Sequence, residues 1–224
     1  MKILFTKKLN EKQVSEKLGN GFSCDFVEVI KIKYKEVGPF DLENYSLIFT
    51  SVNGVDAFFA NGFKPDENFM DKHFNKIYCV GKKTKARLRK YGFGVFKLKK
   101  NAKELSEFIV ENCAKERFIH FCGNLALDIL QKKLPLQNIE YRKVVVYETE
   151  LLYPKVEQQY DAVAFFSPSG VRSFVQHNLL NFSKIFSIGE TTTSEIDKFT
   201  DKGVFTGKDN DLAALLQLIK VEGK

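Results

Sequence analysis

The chain has 224 residues, 44% of them hydrophobic and 28% charged, with a formal charge of +7. That balance suits a water-soluble globular protein of one large or two small domains. No apolar run approaches the length of a bilayer span, and the opening MKILFTKKLNEK is too short in apolar residues for a secretory leader, so a cytoplasmic protein is expected.

The four cysteines (Cys24, Cys79, Cys113, Cys122) form no C-x-x-C pair and mostly sit in apolar runs, as buried free thiols do. The three histidines, His73, His120 and His177, show no ligand spacing, so no metal site is expected. The positive charge favours an anionic partner. The lysines are spread over many segments and no nucleic-acid motif occurs, so nucleic acid is not expected. A polyanionic small molecule fits, and so does a charge that serves solubility alone.

Taken in chain order, KILFTKKL…FVEVIKIKY (residues 2–34) reads strand, helix, strand. A longer unit follows, YSLIFTSVNGVDAFF…KIYCVGKKTKARLRKYGFGVFKL…AKELSEFI, over residues 45–109. The short unit then returns as RFIHFCGNLALDIL…YRKVVVYETE at 117–150. The long one returns as YDAVAFFSPSGVRSF…KIFSIGETTTSEIDKFTDKGVFTG…DLAALLQLI at 160–219. Each long unit has a strand ending in serine (Ser51, Ser167), with a glycine three residues on (Gly54, Gly170) and then a helix. A second strand ends in glycine (Gly81, Gly189), with a threonine three residues later (Thr84, Thr192). Strands alternating with helices predict parallel sheets covered on both faces. Two open sheets follow, one per short-plus-long pair. The repeats leave open which short unit joins which long one. FVEVIKIKY and RKVVVYETE are longer than one buried strand needs and can run on between domains as a bridge.

The segments FTSVNGVDAFF, CVGKKTKARL, FCGNLALDIL, VVVYET, FFSPSGV and IGETTTSEI resemble, in order and spacing, the uroporphyrinogen-III synthase family. The resemblance implies two open, mainly parallel-sheet α/β domains of flavodoxin-like type, with a cleft between them. One would combine 1–31 with 151–224, the other would span 37–143, and linker strands would lie at 27–34 and 144–150. It implies a monomeric, cofactor-independent cyclising lyase of haem biosynthesis. Its substrate would be hydroxymethylbilane, a linear tetrapyrrole with an acetate and a propionate on every pyrrole. Many relatives carry Arg where this chain has Lys7 and Cys122.

Ligands of open α/β sheets sit beyond the carboxyl ends of the strands, and Ser51, Gly81, Gly123, Ser167 and Gly189 are expected at such ends, each ahead of a helix. Helix N-termini there present N–H groups to anions, and glycine lets the backbone approach. The candidate substrate-binding residues are Thr6, Lys7, Ser51, Asn53, Gly81, Thr84, Gly123, Asn124, Ser167, Ser169, Gly189, Thr191 and Thr192. Each motif also has a purely structural reading. Thr192 with Glu195 reads as a capping box. Thr84 has Arg87 where the box needs Glu, and an ordinary N-cap stands beside the ligand reading. Ser51 and Ser167 read equally as strand-end caps, Gly81 and Gly189 as tight turns, and SPSG as a turn with proline at the first helical position.

Tyr147 ends the run Val144–Val146. By itself it is an ordinary strand aromatic. The resemblance makes it the candidate catalytic acid. A phenol is a proton donor at neutral pH, suited to assist departure of the bilane's terminal hydroxyl. A non-catalytic or nucleotide- or polyanion-binding two-domain α/β protein is the competing class. The absence of G-x-G-x-x-G and G-x-x-x-x-G-K-[ST] speaks against nucleotide.

Overall fold

The computed structural model describes residues 1–66, 74–208 and 210–223, so His73 lies outside the described residues. The chain begins β1 (Lys2–Phe5), α1 (Glu11–Leu18), β2 (Ser23–Phe26), β3 (Ile30–Tyr34), β4 (Tyr45–Phe49), α2 (Val52–Ala60) and β5 (Ile77–Val80). It continues α3 (Lys82–Lys90), β6 (Lys97–Lys99), α4 (Ala102–Asn112), β7 (Arg117–Gly123), α5 (Ile129–Leu136) and β8 (Tyr141–Leu151). It closes with β9 (Ala162–Phe165), α6 (Pro168–Val175), β10 (Lys184–Ser187), α7 (Glu190–Ile196), β11 (Val204–Thr206) and α8 (Leu212–Glu222). Among the described residues no helix is long and apolar enough to cross a membrane.

Two compact units emerge, Met1–Lys31 with Glu150–Lys224, and Ile32–Thr149. The sheet of the first is ordered β2-β1-β9-β10-β11, and that of the second β3-β8-β7-β4-β5-β6. All ladders of the first sheet are parallel, as are β8–β7, β7–β4, β4–β5 and β5–β6 in the second. The sequence repeat explains these orders. Each sheet takes two strands from one short repeat and three from one long repeat, side by side in the same spatial order, and the second sheet adds β3 from the other short repeat at its edge. In the second unit the chain simply runs through the long repeat first. The shared order is that of flavodoxin-like sheets, and it reverses where the short repeat meets the long one. The reversal falls between β1 and β9 in the first unit, and between β7 and β4 in the second.

Local chemistry starts the helices. Asn10, Ser51, Asn101, Ser167 and Asp211 are N-caps whose side-chain oxygens accept the N–H three residues on. The glycines expected ahead of the helices lie inside them. Gly54 is the third residue of α2, and a Cβ there would stand 2.8 Å from the Phe121 carbonyl oxygen. Its absence lets α2 lie against β7. That contact is sealed by Phe49, Phe58 and Phe121, all fully buried, with Phe58 edge-on to Phe121 at 4.6 Å between ring centres. Each such ring is worth about 1.5–3 kcal/mol of burial, so the start of α2 is firmly held.

One expected strand is two. FVEVIKIKY does not run unbroken, because residues 27–29 interrupt it between β2 and β3. The strand changes partner there: β2 pairs with β1, and β3 lies beside β8. Within the break the Val27 N–H bonds the Phe5 carbonyl, and the Val29 carbonyl accepts from Leu152 N–H.

Candidate active site

Tyr147 lies on β8 just past a β-bulge. Cys122 pairs with Val145 but Gly123 pairs with Tyr147, so β8 carries one extra residue, Val146. A bulge re-aims the side chain that follows it. Strict alternation would put Tyr147 on the face of Val145. Instead it joins Val144 and Val146 in the core of Phe49, Phe58 and Phe121. Its ring then passes over Gly123, where a Cβ would lie 2.5 Å from the ring carbons. Beyond the glycine, the Tyr147 hydroxyl meets Ser51 Oγ at 3.0 Å. Ser51 ends the β4 segment, so the phenol is delivered to the point where the strand order of this sheet reverses.

The geometry orders the protons. Ser51 Oγ accepts the Gly54 N–H at 3.0 Å. Its own hydrogen can go to the phenol oxygen, which leaves the phenol proton available to a ligand. Burial pushes the Tyr147 phenol above the ordinary tyrosine range, and the Ser51 hydrogen bond acts in the opposite direction. The phenol therefore keeps its proton through neutral and mildly alkaline pH. Asn124 fixes the strand around it. Its N–H bonds the Tyr147 carbonyl at 3.2 Å, and its Oδ1 accepts the Thr149 N–H at 2.8 Å.

Tyr147, Ser51, Gly123 and Asn124 are thus brought together. Asn53 is half-buried in the first turn of α2, and Gly81 is the N-cap of α3 with φ 84°. Thr84 belongs to the second unit too, and the remaining candidates belong to the first. Thr6 is buried and donates to the Ala164 carbonyl at 2.9 Å, joining β1 to β9 at that sheet's reversal point, and Lys7 beside it is exposed. Ser167 caps α6 through Gly170 N–H and lies 3.2 Å from Ser169 Oγ, with Pro168 at the first helical position.

Three expectations are corrected. Thr84 and Thr192 cap nothing. The N-caps are Gly81 and Gly189, and each threonine is the buried third residue of its helix. The capping box with Glu195 does not form either, since that carboxylate pairs with Arg172 and Lys198 at 3.2 and 2.8 Å. Nor does Gly123 lead straight into a helix. A turn closed by Ala126 N–H on the Gly123 carbonyl intervenes, and α5 starts at Ile129. Among the threonines of α7, Thr191 is exposed and Thr193 makes the visible polar contacts, to Ser187 Oγ at 2.5 Å and Thr206 Oγ1 at 2.7 Å.

Sequence reasoning also missed His120. It is buried on the opposite face of β7 from Phe121, with Nε2 2.9 Å from Thr50 Oγ1 and Nδ1 2.7 Å from the Tyr141 hydroxyl. Burial, helped by the Lys143 charge, pushes its pKa down to about 3. The folded protein keeps His120 neutral, whereas the unfolded chain takes up a proton below about pH 6.5. Stability is therefore fully present above that pH and is lost as pH falls towards 3. The melting temperature should drop progressively from pH 6.5 to 4, and the drop should shrink in His120→Gln. An identical slope in the variant would remove His120 as its source.

The fold and these strand ends define a class: a two-unit, flavodoxin-like α/β protein with a buried phenol at a strand-order reversal. The family model of uroporphyrinogen-III synthase HemD matches residues 13–217. The chain belongs to the uroporphyrinogen-III synthase family, whose members are lyases that cyclise hydroxymethylbilane. Its fold is similar to that of uroporphyrinogen-III synthetase from Helicobacter pylori, with TM-score 0.68 and 18% identity over 100% of this chain and 99% of that one. A mutant uroporphyrinogen III synthase from the extremely thermophilic bacterium Thermus thermophilus matches with TM-score 0.67 and 14% identity over 100% of both chains. The wild-type Thermus protein in another crystal form matches with TM-score 0.51 and 15% identity, over 99% of this chain and 97% of that one.

Proposed function

We propose that Tyr147, oriented by Ser51, supplies the proton that starts the family's reaction in this chain. That reaction closes hydroxymethylbilane to uroporphyrinogen III in haem biosynthesis, with loss of water and inversion of the last pyrrole ring. Protonation of the terminal hydroxyl lets it leave as water, and the electrons of its pyrrole form an azafulvene. The substituted carbon of the last ring attacks that carbon to give a spiro intermediate. Fragmentation and reclosure at the other α-position invert the ring, and loss of a proton restores aromaticity. A positioned acid contributes about 10²–10⁴-fold. The observation that carries this reading is the 3.0 Å contact between Tyr147 and Ser51 across the bare Cα of Gly123. The test is incubation of the purified protein with fresh hydroxymethylbilane and isomer analysis of the oxidised product. Type I product alone, at the rate of spontaneous closure, would overturn it.

Carboxylate binding is spread over strand ends in this reading, with the regions around Ser51, Gly81, Ser167 and Gly189 each taking a share. An anion near a helix N-terminus is worth about 0.3–1 kcal/mol, up to about 2 when partly buried. Thr84→Ala and Thr192→Ala should each lower kcat/KM by about tenfold or less, since about 1.4 kcal/mol is tenfold. Complete loss of activity in a normally folded Thr84→Ala protein would contradict distributed binding.

A further inference from the structure

The positive charge of the chain is concentrated. Residues 76–103 hold 11 of the 35 Lys and Arg and none of the 28 Asp and Glu, so the remainder carries four more acids than bases. The fold divides these cations: Lys76 stands before β5 and pairs with Glu116, and Arg87, Arg89 and Lys90 fill the last turn of α3, with Arg87 on Asp56, whereas the others cluster near the carboxyl ends of β5 and β6. β5 and β6 are parallel neighbours in which Val80 pairs with Lys99, and the Gly81 N–H bonds the Lys99 carbonyl. The first turns of α3 and α4 therefore rise from adjacent strand ends. Lys82, Lys83, Lys100 and Lys103 lie exposed there. Lys97 and Lys99 are half-buried, with Nζ 4.2 and 5.2 Å from the centre of the Phe108 ring, which fixes their stems. The nearby carboxylate of Glu104 accepts from Asn101 Nδ2 and Lys100 N–H at the start of α4.

This basic end lies on the same carboxyl edge as Tyr147. The order along that edge is β8, β7, β4, β5, β6, all parallel. The phenol oxygen sits at Ser51, beyond the end of β4, so at about 4.8 Å per strand the end of β6 is about 10 Å from it. That exceeds the Debye length of about 8 Å at physiological salt. The phenol is shifted by burial, Ser51 and Cys122, and by none of these lysines. They act on something long and anionic that reaches it.

We infer that the β5–β6 end of the second unit is an electrostatic capture surface for the polycarboxylate substrate, drawing the bilane on to the edge that carries Tyr147. The inference rests on the reading of the substrate given above. Carboxylates at intervals along a flexible chain engage clustered lysines without a fixed pocket, and clustered charge of one sign raises encounter rates by about 10–10³-fold. Such a surface changes capture and leaves chemistry alone.

The test compares two variants of equal net charge. One is Lys82→Gln, Lys83→Gln, Lys100→Gln and Lys103→Gln together. The other makes Lys12→Gln, Lys17→Gln, Lys132→Gln and Lys155→Gln, exposed sites outside residues 76–103. With hydroxymethylbilane at low ionic strength, the first should keep wild-type kcat and lose about fivefold to tenfold in kcat/KM. The loss should shrink below about twofold in roughly 0.5 M salt. The second should follow wild type at both salts. Equal behaviour of the two variants, or a wild-type kcat/KM that ignores salt, overturns the capture surface while leaving the family activity intact. Salt-insensitive turnover with tight retention of single-stranded nucleic acid by wild type and not by the first variant also overturns it, and assigns the face to nucleic acid. Failure of wild type to make type III product is a different result, because it removes the substrate itself.

Discussion

Tyr147→Phe should lower kcat for type III product by about 10²-fold or more, the lower range for a positioned general acid. Phenylalanine keeps the ring and its place over Gly123 and removes only the hydroxyl that meets Ser51 Oγ at 3.0 Å. KM should change less than kcat, because the lost interaction belongs to the transition state. The melting temperature should change little. No large cavity forms, and a neutral hydrogen bond contributes about 0.5–1.5 kcal/mol. Some turnover should persist, since orientation of the bilane by the strand ends lowers the barrier by itself. Kinetics of the purified variant with thermal melting as the folding control decide the matter. Near wild-type kcat would leave orientation as the whole catalytic device. A large drop in melting temperature would make Tyr147 a tyrosine that holds β8 in place.

The parallel α/β architecture was legible because it follows from period and repeat. Apolar strands alternate with amphipathic helices, and the copies carry their serine, glycine and threonine at matching places. Ser51 and Ser167 were legible as caps for the same reason, since an N-cap is a local event. What could not be read depends on register. VVVY offers no sign that Val146 is an extra residue, and alternation puts Tyr147 on the wrong face. The bulge is set by pairing with Cys122 and Gly123, which are far away in sequence. Thr84 and Thr192 failed differently. A threonine three residues after a strand-end glycine fits a cap if the helix starts late. The helices start at once on Gly81 and Gly189, which turns both threonines into buried first-turn residues. His120 gave only the weak sign of a polar residue in the apolar run FIHFC, and its partners Thr50 and Tyr141 come from two other segments of the sheet.

Gly123→Ala should abolish most of the activity through a residue that has no chemistry of its own. Gly123 is not among the glycines with positive φ, so alanine can adopt its backbone and the effect is steric. The new methyl would lie 2.5 Å from two ring carbons of Tyr147 and 2.9 Å from its hydroxyl, against an ordinary carbon–carbon contact of about 3.5–4.0 Å. The ring must move by about 1 Å, and the contact with Ser51 goes with it. A misplacement of that size can cost about 10²-fold, so kcat should fall at least as far as in Tyr147→Phe. Overpacking should cost about 1–3 kcal/mol of stability, which a domain of this size survives. The double variant Gly123→Ala with Tyr147→Phe separates the two explanations. If Gly123 matters only as clearance for Tyr147, the double variant should be no slower than the slower single one, because neither ring then carries the proton. Losses that multiply would show that Gly123 serves the substrate directly through its backbone. Wild-type activity in Gly123→Ala would mean that the ring yields without cost, and that the position of the Tyr147 hydroxyl beside Ser51 is not what the reaction depends on.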